Sequence, residues 1–462
     1  MAAEHEALNG AVQLIAERLS STTTKVDYSA MLHTADIDYS LEWLDSIEVI
    51  RDYNNSIGDN GIINFKLYTG DYMEYFHNNR HNMEITIRYT DQETSGATSD
   101  RYKFIITNNI TGIEGSHITN VDYAKLNETE MINIEGQFIS TTLEALRSKT
   151  IDKIYQGDTA ERIIKSAFAV ESAKMSTGGS DLALTVDMIT ADIQKPISRL
   201  VVPTGTMLFD LPVLLQDVKY GVYNTGLGLY LQKYTTTINP PRFNQEPVNQ
   251  EVVTNDTIFV YPLFDTARAE EATKKLIIYN TQIHKFNQVD HTYFEDADVV
   301  NLFTTSDTKF TDNGEIDFMN HGNTLVVSET NQLIQKGVQV DDETITMSAG
   351  NNVSSRQSYA RADGGMMPKF LKDNESLSKA KSLIAKQNTT TLMAQWNFCN
   401  PRLIFPGMAV TYVYVTSEGT ILRLNGSVAG FYYKYQAGTS VQHGMLTLTL
   451  EKPIDALARA GE

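Results

Sequence analysis

The chain has 462 residues, room for three or four domains at about 100–200 residues each. Asp and Glu outnumber Lys and Arg by 57 to 38, a net charge of −19 that argues against a nucleic-acid binder, whose affinity comes from neutralising phosphates. Its 41% hydrophobic content supports folded cores, and its many Tyr, Thr, Val and Ile residues lean towards β structure.

The first predicted element is a helix over Glu4–Leu19, where Leu8, Val12, Ile15 and Leu19 fall on one stripe. A polar tract, Ser20–Thr24, follows, so residues 1–25 read as a helix on a leash. The stripe packs back on its own domain or grips a neighbouring subunit; the acidic polar face argues against a membrane. Residues 26–150 read as a first β unit. Ile47–Arg51 alternates, Asn60-Gly61 signals a turn, and Met83, Ile85, Ile87 and Tyr89 alternate with polar residues. Thr141–Lys149 turns helical.

Residues 151–235 read as a helix-containing connection. Asp158-Thr-Ala-Glu161 is a capping-box variant with Asp158 as N-cap, followed by a buried stripe of Ile163, Ile164, Ala167 and Phe168. Gly226 and Gly228 precede a strand rather than a helix, which makes them a turn and not a phosphate loop. Residues 236–390 read as an accessory region. Thr257–Leu263 and Leu276–Asn280 are strands, with a helix capped by Asp265 between them. Tyr293–Thr305 and Leu325–Ser328 are further strand candidates, Asn331–Asn374 is a polar excursion, and Asn374–Ala385 is a short helix. Residues 391–462 read as a second β unit. Pro406-Gly407 is a turn feeding Met408–Val415, Asn425-Gly426 predicts a hairpin between Thr420–Leu424 and Val428–Tyr435, and Leu446, Leu448 and Leu450 share one face of the last strand.

Chemistry-bearing clusters are sparse. His77 and His81 have a metal spacing if helical but lack completing ligands. Asp312-Asn-Gly-Glu-Ile-Asp317 is a fragment of a calcium loop without its closing Glu. Asp36 and Asp38 could pair as a glycosidase dyad, yet acid pairs abound in so acidic a chain. The lone Cys399 rules out an internal disulfide framework and has no catalytic context. No catalytic residue, metal site or cofactor is assigned, and no enzyme is expected. No apolar run approaches the ~18 residues of a membrane span. The start, Met1-Ala-Ala-Glu-His-Glu, lacks the marks of a signal peptide, so assembly in a cytoplasm is expected.

The C-terminal pattern of Asn400, Pro401, Leu403, Pro406, Gly407, Val410, Gly426, Val428, Leu446, Leu448 and Leu450 resembles the second tube-like domain of contractile-tail hub proteins. These are the T4-type phage baseplate hub, late control D proteins and the N-terminal part of VgrG. Ser46–Gly61 and Tyr220–Gly228 resemble other parts of that family, and residues 288–372 do not. The resemblance implies a mainly β (α+β) chain with two tube-like antiparallel β-barrel domains, inserted helices and accessory segments. It implies a homotrimer forming a pseudo-six-fold ring in the virion's baseplate, between the hexameric tail tube and the trimeric spike, with other baseplate proteins around it. DNA would be present only in transit, past a lumen whose acidity denies phosphates a partner. A carbohydrate-binding or carbohydrate-cleaving tail protein is the alternative, which an exposed row of Tyr or Trp beside an acid pair would favour. A multidomain β adhesin with independent domains is a third reading.

Overall fold

The computed structural model describes residues 26–79, 82–91, 97–107, 131–176, 184–216, 221–238, 251–280, 299–304, 309–313, 328–329, 332–333, 338–340, 343–345, 382, 385–397, 399, 401–415, 420–437 and 443–453. The predicted helix bearing Leu8, Val12, Ile15 and Leu19 lies outside them.

The first unit contains β1 (Val26–His33), β2 (Asp38–Ser40), β3 (Trp43–Asp52), β4 (Asn60–Tyr68), β5 (Met83–Asp91), β6 (Ala97–Ile106) and β7 (Met131–Ser140). A short helix, α1 (Thr69–Asp71), continues as a π-helical turn, Tyr72–Phe76. The strands pair in the order β3-β4-β7-β6-β5-β1-β2, every join antiparallel. Alternation decides the faces. In β7, Ile132, Ile134 and Phe138 are buried while Met131, Asn133, Glu135 and Gln137 are exposed. β2 and β3 end the path at opposite sides, yet only Leu41 and Glu42 join them, so the sheet curls until its ends meet. The expected turn at Asn60-Gly61 is not there. Both residues lie inside β4, and the chain reverses at residues 53–59. Gly61 meets its partner Phe138 so closely that an added Cβ would stand 2.0 Å from the ring.

The connecting unit has its own core, built from Leu143, Ile163, Ile164, Phe168, Leu211 and Tyr223 among others. Helix α2 (Thr141–Arg147) leads into β8 (Thr150–Ile151) and β9 (Ile154–Tyr155), and α3 (Ala160–Ser176) follows. Then come β10 (Leu184–Met188), β11 (Leu200–Val201), β12 (Thr206–Met207), α4 (Asp210–Leu214) and the long strands β13 (Leu227–Ile238) and β14 (Glu251–Pro262). β8 pairs with β12 and β9 with β11, while β10, β14 and β13 form a three-stranded sheet. The predicted cap of α3 shifts by one residue. Thr159 Oγ1 accepts from Arg162 N, the third helical amide, while Asp158 forms a β-bridge with Ile197. Glu161 reaches Lys165, Gln194 and the Ala191 amide instead of closing a box. Gly226, at φ +113°, turns the chain into β13 as expected.

The second β unit begins after α5 (Arg268–Glu271) with β15 (Lys275–Asn280), β16 (Val299–Thr304) and β17 (Phe310–Asp312). The predicted helix from Asp265 is thus shorter, and the Asp265 carboxylate accepts from Arg268 N ahead of it. Two small hairpins follow, β18 (Ser328–Glu329) with β19 (Gln332–Leu333) and β20 (Val338–Val340) with β21 (Glu343–Ile345). The unit is completed by β22 (Thr389–Asn397), β23 (Ala409–Val415), β24 (Ile421–Gln436) and β25 (His443–Glu451). The order is β16-β15-β23-β24-β25-β22-β17, antiparallel except where β15 runs parallel to both neighbours. Only residues 305–309 separate β16 from β17, so this path also curls on itself. The hairpin expected at Asn425-Gly426 does not exist, because both residues lie within the 16-residue strand β24.

Candidate functional site

Strand β24 is where the two β units become one. Its first part pairs with β23 (Ser427 with Ala409 through Ile421 with Val415) and its second part with β3 (Gly430 with Asp52 through Gln436 with Ser46). β25 takes the opposite edge, from Gly426 to Lys434. β23 and β3 therefore lie end to end along one edge of a shared strand. A bulge between Val428 and Gly430 marks the handover, and there the Ala429 carbonyl accepts from the Tyr53 amide at 3.0 Å. Seven strands on each side thus make one 14-stranded sheet.

A buried polar node locks this joint to the connecting unit. Arg51 follows Ile47 and Val49 on the inward face of β3. Its guanidinium forks onto Asp59 at 3.1 Å through each of two nitrogens and donates to the Pro401 carbonyl at 2.8 Å. Asp59 also accepts from Tyr230 Oη at 3.0 Å. Burial, then the charge of Asp59, pushes the Tyr230 hydroxyl well above its ordinary range, so it stays a donor. Tyr53 donates to Gln232, which donates to the Ile404 carbonyl at 2.8 Å. One network joins β3, β13 and the loop before β23. A buried charge is tolerable only when paired in this way.

The other face of the sheet is open. Gln395, Met445, Tyr432, Ile50, Asn60, Ile139, Lys103, Glu84 and His33 are successive direct partners, one per strand from β22 to β1. None of the nine is buried. A second row runs through Asn397, His443, Lys434, Glu48, Ile62, Gln137 and Ile105. Most charges on this face meet opposite charges: Lys434 bonds Glu48, Arg101 bonds Glu84, and Lys66 lies 3.8 Å from Asp45. Lys103 donates to the Asn82 side-chain oxygen instead, and Arg88 makes no ion pair among the described residues. Amides, Ile, Met and mostly paired charges form a wall with no acidic bias.

The family-like residues gather beside the shared strand. Gly407 (φ +69°) closes a Phe405–Met408 turn, with Met408 N donating to the Phe405 carbonyl at 3.2 Å. Gly426 is the direct partner of both Val410 and Leu450, and Val428 faces Leu448. Val410, Val428, Leu446, Leu448 and Leu450 are all core. Pro401 supplies the carbonyl for Arg51, and Pro406 is buried within the turn; Asn400 lies outside the described residues. The node was missed because Arg51, Asp59, Tyr230 and Gln232 match no motif. One signal was available, since Arg51 sits at the inward parity of an alternating strand.

The clusters set aside earlier behave as structure. His77 is half-buried, its ring edge-on to Tyr72, and His81 lies outside the described residues. Asp312 pairs with Lys452 at 2.9 Å, and Asp317 also lies outside them. Asp36 stands in the turn before β2 rather than on it, while Asp38 contacts His33 Nδ1 at 2.6 Å. The other ring nitrogen meets Thr86 Oγ1 at 2.7 Å, so His33 ties β2 to β1 and β5. Among the described residues no group of three or more His, Cys, Asp or Glu could hold a metal, and no helix is long and apolar enough to cross a membrane.

No family model and no curated protein sequence matches the chain. Among solved structures it is similar to the 43 kDa tail protein of prophage MuSo2 from Shewanella oneidensis, at 10% identity over 93% of this chain and 98% of that one, with a TM-score of 0.43. It is similar to a tail protein from Neisseria meningitidis MC58, at 9% identity over 93% and 99% of the two chains, with a TM-score of 0.45. An E. coli component of the type VI secretion system, described as structurally similar to T4 bacteriophage tail proteins, follows at 8% identity over 91% and 77%, with a TM-score of 0.41. These three solved structures are thus two tail proteins, one of them from a prophage, and a secretion-system component likened to T4 tail proteins.

Proposed function

We propose that the chain is a structural subunit of a phage-type tail, acting as the baseplate central hub. Three copies, each supplying two β tubes, form a ring of pseudo-six-fold symmetry between the tail tube and the spike, and DNA passes through its centre. The observation that carries this reading is the shared strand β24, which fixes two seven-stranded tubes in one continuous sheet with one open face. Two tubes held rigidly in one chain give six positions from three copies, and a closed ring follows from repeated head-to-tail contacts. The open face suits a passage, because acidic and basic side chains are interspersed on it and most pair with each other, so that it offers a phosphate backbone no continuous row of cations. The acidic lining expected from the net charge is not what this face carries.

The test is light scattering and negative-stain class averaging of the full chain, alone and co-expressed with a trimeric tail-spike protein. A threefold ring with an open centre is expected in at least the second sample. A monomer in both, together with binding to a glycan array, would replace the hub reading with the carbohydrate-binding one.

A further inference from the structure

The connecting unit carries an apolar patch on a ribbon whose two faces differ sharply. Inward, Ile151, Tyr155 and Leu200 enter the core. Outward, Ile154 and Val201 are direct partners and stand 52% and 53% exposed. Met207, opposite Thr150, and Val213 on α4 are exposed nearly as far. Large apolar side chains clustered in this way mark an interaction surface. Around them Arg147, Lys149, Lys153, Lys195 and Arg199 are all exposed, and none enters an ion pair among the described residues. Against these five cations stand Glu144, Asp152, Asp158 and Asp210, so the patch carries a small basic excess on a chain of net charge −19.

The complementary surface is on the same chain. At the corner where β2 leads into β3, Asp36 and Glu42 are exposed beside Asp38, which contacts His33, and Asp45, 3.8 Å from Lys66; Glu74 is exposed on the π-helical turn packed against β2 through Tyr39 and Phe76. Met31 and Tyr68 stand 39% and 36% exposed on the same unit. We propose that the basic, apolar ribbon of one copy docks on the acidic corner of the next copy's first unit. The two surfaces differ, so the contact is heterologous, and its repetition closes a ring. The inference rests on the ring reading above and adds the interface. A polyanion or an anionic membrane fits less well. Its approach would be opposed by the acidic remainder of the chain, and the apolar centre of the ribbon has no counterpart in a phosphate backbone.

The test uses three full-length variants under the conditions in which the wild type assembles, each first shown to melt as the wild type does. Lys149→Glu/Lys153→Glu/Arg199→Glu reverses the ribbon, Asp36→Lys/Glu42→Lys/Glu74→Lys reverses the corner, and the third variant carries all six changes. Each one-sided variant is expected to assemble at least about ten-fold more weakly, and the six-fold variant is expected to recover. A wild-type ring with one-sided variants that assemble as well as it does would overturn the interface and leave the hub reading standing. So would a six-fold variant that fails to recover. Ribbon reversal that abolishes binding to phosphatidylserine vesicles or duplex DNA, with assembly untouched, would assign the patch to those ligands instead. A wild type that never associates, with or without the spike, would remove both.

Discussion

At the scale of single residues, the energetics concentrate at Arg51. Its guanidinium is buried and its partners sit in the reversal at residues 53–59 and the loop before β23, so Arg51→Met leaves Asp59 buried and short of its strongest partner. Breaking such a pair costs about 3–5 kcal/mol, whereas replacing both members by apolar side chains costs far less. Thermal melting should therefore rank Arg51→Met well below the double variant Arg51→Met/Asp59→Leu, and equal losses would mean that shape rather than charge is what the node supplies. Cys399 makes a second prediction. Burial pushes its thiol up to about 12, and its sulfur packs so tightly that a Cβ added at Gly444 would lie 2.6 Å from it. The unfolded thiol ionises near pH 8.5, so the native state keeps a proton that the unfolded state releases. Stability contributed by this group is intact below about pH 8.5 and declines as pH rises towards 12. Cys399→Ala should flatten that decline in urea titrations at pH 8 and pH 10, and an unchanged slope would show that the thiol titrates freely. The parity of Arg51 and the isolation of Cys399 were legible in the sequence. The rest of the node was not, because Pro401, which accepts from Arg51, and Tyr230, which donates to Asp59, are brought there only by long-range pairing.

Among the elements, β24 shows where a local signal loses to tertiary context. Asn-Gly is a strong hairpin signal because a tight turn needs positive φ, but Gly426 is not among the residues with positive φ. A Cβ there would lie 1.9 Å from the Thr449 carbonyl oxygen, so the glycine is required for close approach of β25. Asn425 is engaged in turn by Glu451, Glu270 and Thr411. The period-two faces of β5, β7 and β25, and the turn at Pro406-Gly407, were readable because alternation and turn chemistry are local properties. The parallel joins of β15 and the length of β24 depend on partners far along the chain. The bulge at Ala429 is the part of β24 most open to test. Deleting Ala429 would remove the bulge, so that Val428, Gly430 and Phe431 alternate plainly opposite Leu448, Thr447 and Leu446. Phe431 and Tyr433 would stay in the core, but the carbonyl that takes the Tyr53 amide and the extra residue at the handover from β23 to β3 would be lost. Limited proteolysis should then release the first unit from the rest, where the wild type stays joined. A deletion variant that resists cleavage equally would mean that the bulge does not couple the two tubes.

For the whole molecule, the question is where the charge sits. The excess of 19 negative charges is not spread evenly: the open face is close to neutral, the ribbon of the connecting unit is slightly basic and the corner at β2 is acidic. Composition alone could not have revealed this, because net charge carries no information about faces. If the open face lines the passage, its neutrality has a consequence for transit. Asn60 and Gln137 are exposed there on adjacent strands, and Asn60→Lys/Gln137→Lys would place unpaired cations on the wall without touching the core. Each phosphate neutralised steepens the dependence of log K on log salt by about 0.9. The assembled variant should retard duplex DNA in a gel at low salt and release it as salt rises, while the wild-type ring leaves it unretarded throughout. Retardation by the wild type would contradict a wall built for passage. A variant ring that ignores DNA as completely as the wild type would place this face on the outside of the assembly, and the lumen would have to be sought on the flanks of the two tubes.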